Sequence, residues 1–298
     1  MTKFVTHLLL IGIVVSTNSC TKDQDILPDN KYIIGEGNRP LVIAHGGAKE
    51  LWPENTMIAF DGSVGLGVDM LEMDVKITKD SVLVCHHDDD IKGMSNGSGK
   101  VSSFTYSELL DYNFGYYFKD LDGNYPFQTQ KVEITRLEDV FNNYFDYLFT
   151  VEIKDTEDHG KLAAEKLLEL IEKFDLSDQI IVACFDEETL EYFRTISEQK
   201  VPVSASQKET TKFVLSAKAQ SSTLYHPHAV AFQIPVSSSI INLDRKHIIK
   251  AAHRHNMAVH YWTINDKEEM RNLIEKGADG LITDRPDIML DLLKEMGW

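Results

Sequence analysis

The sequence predicts one α/β domain: a (β/α)8 barrel of the TIM type, distorted by a β-hairpin excursion after its second strand. Three observations carry this. From residue 41 onward, short apolar runs alternate with stretches of helical periodicity. Those runs are apolar almost throughout rather than at every second position, as strands of a parallel sheet covered on both faces must be. The length of 298 residues suits a single barrel of about 250 residues behind a leader.

The leader is residues 1–20, MTKFVTHLLLIGIVVSTNSC. Lys3 supplies a positive start, and Leu8 to Val15 form an apolar run of 8 residues. That run is too short for a membrane span, which takes about 20 residues, and has the length of a signal-peptide core. Ser16, Thr17 and Ser19 lead to Cys20, and the whole resembles a bacterial lipoprotein signal. Residues 1–19 are therefore expected to be a signal peptide, Cys20 the lipidated residue, and residues 20–38 a tether to a membrane of the cell envelope. The barrel domain is expected over 39–298.

Strands are expected at 41–45, 70–78, 82–86, 148–153, 180–184, 202–205, 230–234, 259–263 and 280–283. Leu137, Val140, Phe141 and Tyr144 follow helical spacing, as do Leu167, Leu170, Ile171 and Phe174. Asp266 with Glu269 makes a capping-box-like start, Met270, Leu273 and Ile274 an apolar stripe, and Gly277 a stop. Only Lys79, Asp80 and Ser81 separate the second run from the third, whereas a parallel crossover needs a dozen or more residues. These two runs must form an antiparallel hairpin, which leaves eight strands for the barrel. A two-residue loop at Lys79 and Asp80 would place His87 opposite Glu72 and Cys85 opposite Asp74. Residues 88–131 form the one long irregular stretch, expected to loop over the barrel mouth.

Hydrophobic residues make up 43% and charged residues 26%, a globular balance that excludes disordered and collagen-like chains. With 30 Lys and Arg against 47 Asp and Glu, the net charge is -17. Losing residues 1–19, which carry only Lys3, leaves -18. Such a chain repels a nucleic-acid backbone, so a nucleic-acid partner is not expected. Three cysteines cannot build a disulfide framework, and Cys85 and Cys184, inside apolar runs, read as buried free thiols.

Reacting groups of such barrels gather at the C-terminal ends of the strands. The first strand ends in His45, followed by Gly46 and Gly47. The second carries Glu72 and Asp74 two apart and therefore on one side. The fourth ends with Glu152 and Lys154, and the return strand of the hairpin leads to His87. Three carboxylates in one mouth cannot all stay charged without compensation, and a hard divalent cation, Mg²⁺ or Ca²⁺, resolves this. His45 and His87 beside it are candidates for general base and general acid. Lys154 would neutralise an anionic substrate oxygen. Together these parts suit phosphoryl transfer. His226, His228, His253, His255 and His260 read instead as loop or helix-surface residues.

At these residues the sequence resembles the glycerophosphodiester phosphodiesterase family, from about residue 40 to 290. VIAHGGAKELWPENTMIAF is similar to that family's opening block, and LEMDVKITKDSVLVCHHD to its second. SNGSGKV, TRLEDVF, VEIK, YWTIND and GADGLITDRPD follow in the family's order. The resemblance implies hydrolysis of deacylated phospholipids to glycerol 3-phosphate and an alcohol, through a cyclic phosphate formed by the glycerol 2-hydroxyl. It implies Glu72, Asp74 and Glu152 as metal ligands and His45 and His87 as the acid/base pair. Glu54 and Lys154 would line the substrate site, and Trp262 would close its glycerol side.

Two positions depart from the family pattern. Gly46 and Gly93 stand where arginines are usual, and a lost charge-assisted contact costs about 1.5–3 kcal/mol. Lys49, Lys92 or Lys154 are the available substitutes. Gly46 motivates the expectation of extra room for a bulkier head group, such as glycerophosphoinositol or a glycerol-phosphate polymer fragment. The missing arginines also motivate a second alternative, a catalytically weak lipoprotein that binds phosphorylated ligands.

Overall fold

Among the described residues, eight parallel staves close the barrel. The structure is a computed structural model that describes residues 30–218, 228–238 and 241–298. The expected signal peptide, Cys20, the tether up to residue 29, and His226 lie outside the described residues. In chain order the elements are β1 (Leu41–Ala44), α1 (Met57–Leu66), β2 (Met70–Ile77), β3 (Leu83–Cys85), α2 (Tyr106–Leu109), β4 (Thr135–Arg136), α3 (Leu137–Asn143) and β5 (Leu148–Ile153). Then come α4 (Glu157–Phe174), β6 (Ile180–Cys184), α5 (Glu187–Ile196), α6 (Gln207–Lys218) and β7 (Ala231–Ile234). A small ribbon of β8 (Ser237–Ser238) and β9 (Ile241–Asn242) follows, and α7 (Lys246–Arg254), β10 (Ala258–Tyr261), α8 (Lys267–Lys276), β11 (Gly280–Thr283) and α9 (Pro286–Glu295) complete the chain. Among the described residues, no helix is long and apolar enough to cross a membrane.

Parallel pairing runs β6–β5–β2–β1–β11–β10–β7. The remaining gap is bridged by Val203 and Ser204, which pair with Val182 and Ala231. The short run expected at 202–205 is thus the eighth stave, reduced to single bridges. Because helices cover the outside, both faces of the strands are dry: every residue of β2, β10 and β11 is buried. Ile43, Met70, Ile181, Ala231, Ala258 and Ile282 fill the barrel's interior, and the larger core lies between strands and helices. All four apolar positions expected around α3 are buried, as are Met270, Leu273 and Ile274 of α8. Asp266 caps α8 through the Glu269 N–H, and Gly277 ends it at φ +94°.

Three expectations need correction. The hairpin register is one residue off: Val75, not Asp74, pairs with Cys85. The turn has three residues, Lys79 to Ser81, with Ser81 at φ +62° and the Thr78 N–H bonded to the Val82 carbonyl. The stretch 88–131 is not merely a loop. It carries α2 and packs Ile91, Val101, Leu109 and Phe114 with Val84 and Ile134 into a satellite core. Residues 30–38, assigned above to the tether, belong to the folded unit. Asn30 donates to the carbonyls of Val230 and Asn256, and Tyr32 is 2% exposed within the barrel-interior cluster.

Asp279, 0% exposed, ties this segment down. It accepts from the backbone N–H groups of Ile34 (2.9 Å), Gly35 (3.2 Å) and Val259 (2.8 Å), and from His253 Nε2 (2.7 Å). Removing it strands the buried Val259 N–H, at a cost of about 1–3 kcal/mol, and three part-buried donors besides. Asp279→Ala is therefore expected to destabilise the fold by about 2–4 kcal/mol in urea unfolding. A loss below about 0.5 kcal/mol, the ordinary surface value, contradicts this role.

Candidate active site

The acidic cluster follows from strand register. Asp74 on β2 and Glu152 on β5 are direct parallel partners, and Glu72 lies two residues below Asp74 on the same face. One carboxylate oxygen from each of Glu72, Asp74 and Glu152 falls within 4.8 Å of the others. Only the start of β2 pairs with β1, and its end pairs with β3, so the edge at residues 72–74 lacks a strand neighbour there. Asn55 of the PENT segment and the His86 N–H bond the Asp74 backbone on that edge, and the His45 turn bonds the Glu72 side chain beside it. The Gly46 N–H donates to Glu72 Oε2 at 2.6 Å. Asn55 donates to Asp74 Oδ2 and accepts from the Asp74 N–H, both at 3.0 Å. Lys154 donates to Glu152 at 2.7 Å and lies 3.2 Å from Asp74.

One ammonium among two buried carboxyl groups and one part-buried one leaves negative charge in excess. Burial and the Asp74 charge push the Glu72 carboxyl up to about 8. Burial also raises Glu152. For Asp74 burial acts upward, but Lys154 and Asn55 outweigh it and hold the carboxyl below its usual range. The donor set is all oxygen, deprotonates fully only with more positive charge, and fits a hard divalent cation.

His45 and His87 both line the same cavity, about 410 Å³ in volume, with Glu72, Glu152, Lys154 and Trp262. His45 Nδ1 donates to Asp284 Oδ1 at 2.6 Å. Burial lowers the ring's pKa, but the Asp284 hydrogen bond and the Glu72 charge outweigh it and hold it above the usual histidine value. His87 is half exposed and donates through Nδ1 to Asp88 at 2.8 Å. Trp262 meets Phe185 edge-on at 6.1 Å across the cavity rim.

Other placements differ from expectation. Glu54 lies against Gly46, in the charge field of Lys49, Asp74, His87 and His45, and burial raises its carboxyl. Gly46 opens no room for a head group. Its φ is +53°, and a Cβ there would lie 3.2 Å from Glu54 Cβ. Gly93 is exposed on the excursion. Lys49 reaches within 3.9 Å of Asp284, whereas Lys92 is exposed. His260 is neither loop nor helix surface: strand alternation on β10 turns it inward, and burial lowers it to about 4. Cys85 and Cys184 are free and buried, as expected. Asn55, Asp284 and Asn265 were missed.

Residues 45–288 match the glycerophosphoryl diester phosphodiesterase family model. The chain belongs to that family. It is accordingly an enzyme of the phosphoric diester hydrolase class. It is 27% identical over 264 residues to a glycerophosphodiester phosphodiesterase of Bacillus altitudinis, covering 86% of this chain and 98% of that one. Its fold is similar to the glycerophosphoryl diester phosphodiesterase domain of a Mycobacterium tuberculosis protein, with TM-score 0.74, 16% identity and coverage of 87% and 100%. It is also similar to an Oleispira antarctica phosphodiesterase solved with the product sn-glycerol-3-phosphate, with TM-score 0.70, 19% identity and coverage of 86% and 97%.

Glu72 gives a pH prediction. Its folded pKa lies above the unfolded value of 4.5, so the native state binds the extra proton between about 4.5 and 8. In protein stripped of divalent ions, this contribution lowers stability as pH rises through that window. The urea midpoint of the wild type should fall more steeply than that of Glu72→Gln. Parallel midpoint curves for the two proteins contradict the assignment.

Proposed function

We propose that this chain hydrolyses glycerophosphodiesters to glycerol 3-phosphate and an alcohol, using a divalent cation and two histidines. The observation that carries the reading is a cluster of three converging carboxyl groups, two of which, Glu72 and Glu152, line one cavity with two imidazoles. Glu72, Asp74 and Glu152 would hold Mg²⁺ or Ca²⁺. When bound, the ion supplies Lewis-acid stabilisation of charge developing on the phosphoryl oxygens.

The chain's own residues account for the protons. His45 Nδ1–H is committed to Asp284, which leaves Nε2 to take the proton of the glycerol 2-hydroxyl as its oxygen bonds to phosphorus. The bond from phosphorus to the alcohol breaks, and His87, open to solvent, gives that oxygen its proton. The cyclic phosphate then opens in reverse: a water oxygen bonds to phosphorus as His87 takes its proton, the bond from phosphorus to the glycerol 2-oxygen breaks, and His45 returns a proton to that oxygen. Lys154 is placed to meet a nonbridging oxygen, and Trp262 offers an apolar wall to the glycerol. The leader at residues 1–20 supports an exported enzyme held to the envelope by lipid on Cys20.

Purified protein should turn over glycerophosphocholine with Mg²⁺ or Ca²⁺ and lose that turnover in chelator. His45→Ala and His87→Ala should each lower kcat by about 10²–10⁴-fold, the usual scale of general acid–base catalysis. Turnover that survives chelation and both substitutions would overturn the reading.

A further inference from the structure

We propose that Asp284, clamped by Asn265, is the positioning residue that fixes the orientation and tautomer of His45; this rests on the function proposed above. Asp284 follows β11 directly and is 5% exposed. One of its oxygens lies 2.6 Å from His45 Nδ1. The other accepts from Asn265 Nδ2 at 2.7 Å. Asn265 in turn accepts the Asp284 N–H at 2.9 Å and the Thr283 hydroxyl at 3.1 Å through its Oδ1. The carboxylate therefore has both oxygens engaged and its backbone locked to the residue that holds it.

The consequence for the imidazole is geometric. A carboxylate accepts and does not donate, so the neutral ring must carry its proton on Nδ1. Nε2 is left with its lone pair, the form a base needs, and an imidazolium formed by proton uptake keeps its ionic partner. His87 has a different arrangement: its partner Asp88 is the next residue in the chain, and both are largely exposed. Among the described residues, the carboxylate clamp is thus built behind His45 alone of the pair.

The test uses the full chain, Asp284→Ala and Asn265→Ala, with glycerophosphocholine at saturating Mg²⁺ and, separately, Ca²⁺, and imidazole ¹⁵N NMR at a pH where the His45 ring is neutral, with His45→Ala to assign the signal. Wild type should show His45 protonated on Nδ1. Asp284→Ala should lower kcat about 10²–10⁴-fold with KM within about threefold and give a mixture of tautomers. Asn265→Ala, which leaves the carboxylate, should lower kcat about 10–100-fold, as supporting groups behind a reacting one do. If Asp284→Ala does not fold, the Asn265 variant and the wild-type spectrum decide. A wild-type His45 protonated on Nε2, or folded variants with unchanged kcat, overturns the proposal. Wild-type protein without turnover overturns the proposed function instead, and the NMR result still judges the tautomer.

Discussion

The constraint on which the site depends is the crowding of Glu72, Asp74 and Glu152 around a single ammonium, that of Lys154. Strand register leaves no freedom here, because Asp74 and Glu152 are direct partners and Glu72 shares their face. Burying like charges in a low-dielectric interior costs far more than leaving them in water. A fold does not retain such an arrangement for stability. The cost is offset in part by a proton on Glu72, whose carboxyl is pushed up to about 8, and added positive charge would offset it further, which makes the cluster a candidate place for a cation.

The rest of the architecture serves that cluster. β2 outruns β1, and at the freed edge the Asp74 N–H donates to Asn55 and the Asp74 carbonyl accepts from the His86 N–H. Gly46 in the left-handed region aims its N–H at Glu72, which links the histidine turn to the acidic cluster through one hydrogen bond. Gly47 matters for a related reason: a Cβ there would come within 2.8 Å of Ala59 on α1. The histidine, the carboxylates and the first helix are therefore set by one compact turn. At the far end of the barrel Asp279 and Tyr32 seal the interior, so the cavity opens at the strands' C-terminal ends.

Much of this was legible from residues alone. Continuous apolar runs identified the staves, and the three-residue gap after Thr78 identified the hairpin. Glu72 and Asp74 could be placed on one face because strand periodicity is local. The hairpin register slipped because Ser81 adopts positive φ and lengthens the turn by one residue, a choice that no apolar pattern encodes. Asp284 and Asn265 carry no local signal of their role, because the bond from Asp284 to His45 joins residues 239 apart in sequence and Asn265 acts only through Asp284. Asn55 carries no charge to mark it in the sequence, yet its amide makes both contacts to Asp74. The register of β5 against β2, which seats Glu152 beside Asp74, is a property of the closed barrel.

The most direct test of the central claim is a crystal soaked in Mn²⁺ as a stand-in for Mg²⁺ or Ca²⁺, with the ion located by its anomalous signal. One peak bonded to oxygens of Glu72, Asp74 and Glu152, with the Lys154 ammonium moved off Asp74, is the expected result. A saturating soak that leaves Lys154 bridging Asp74 and Glu152, with no ion between the three carboxyl groups, would contradict it.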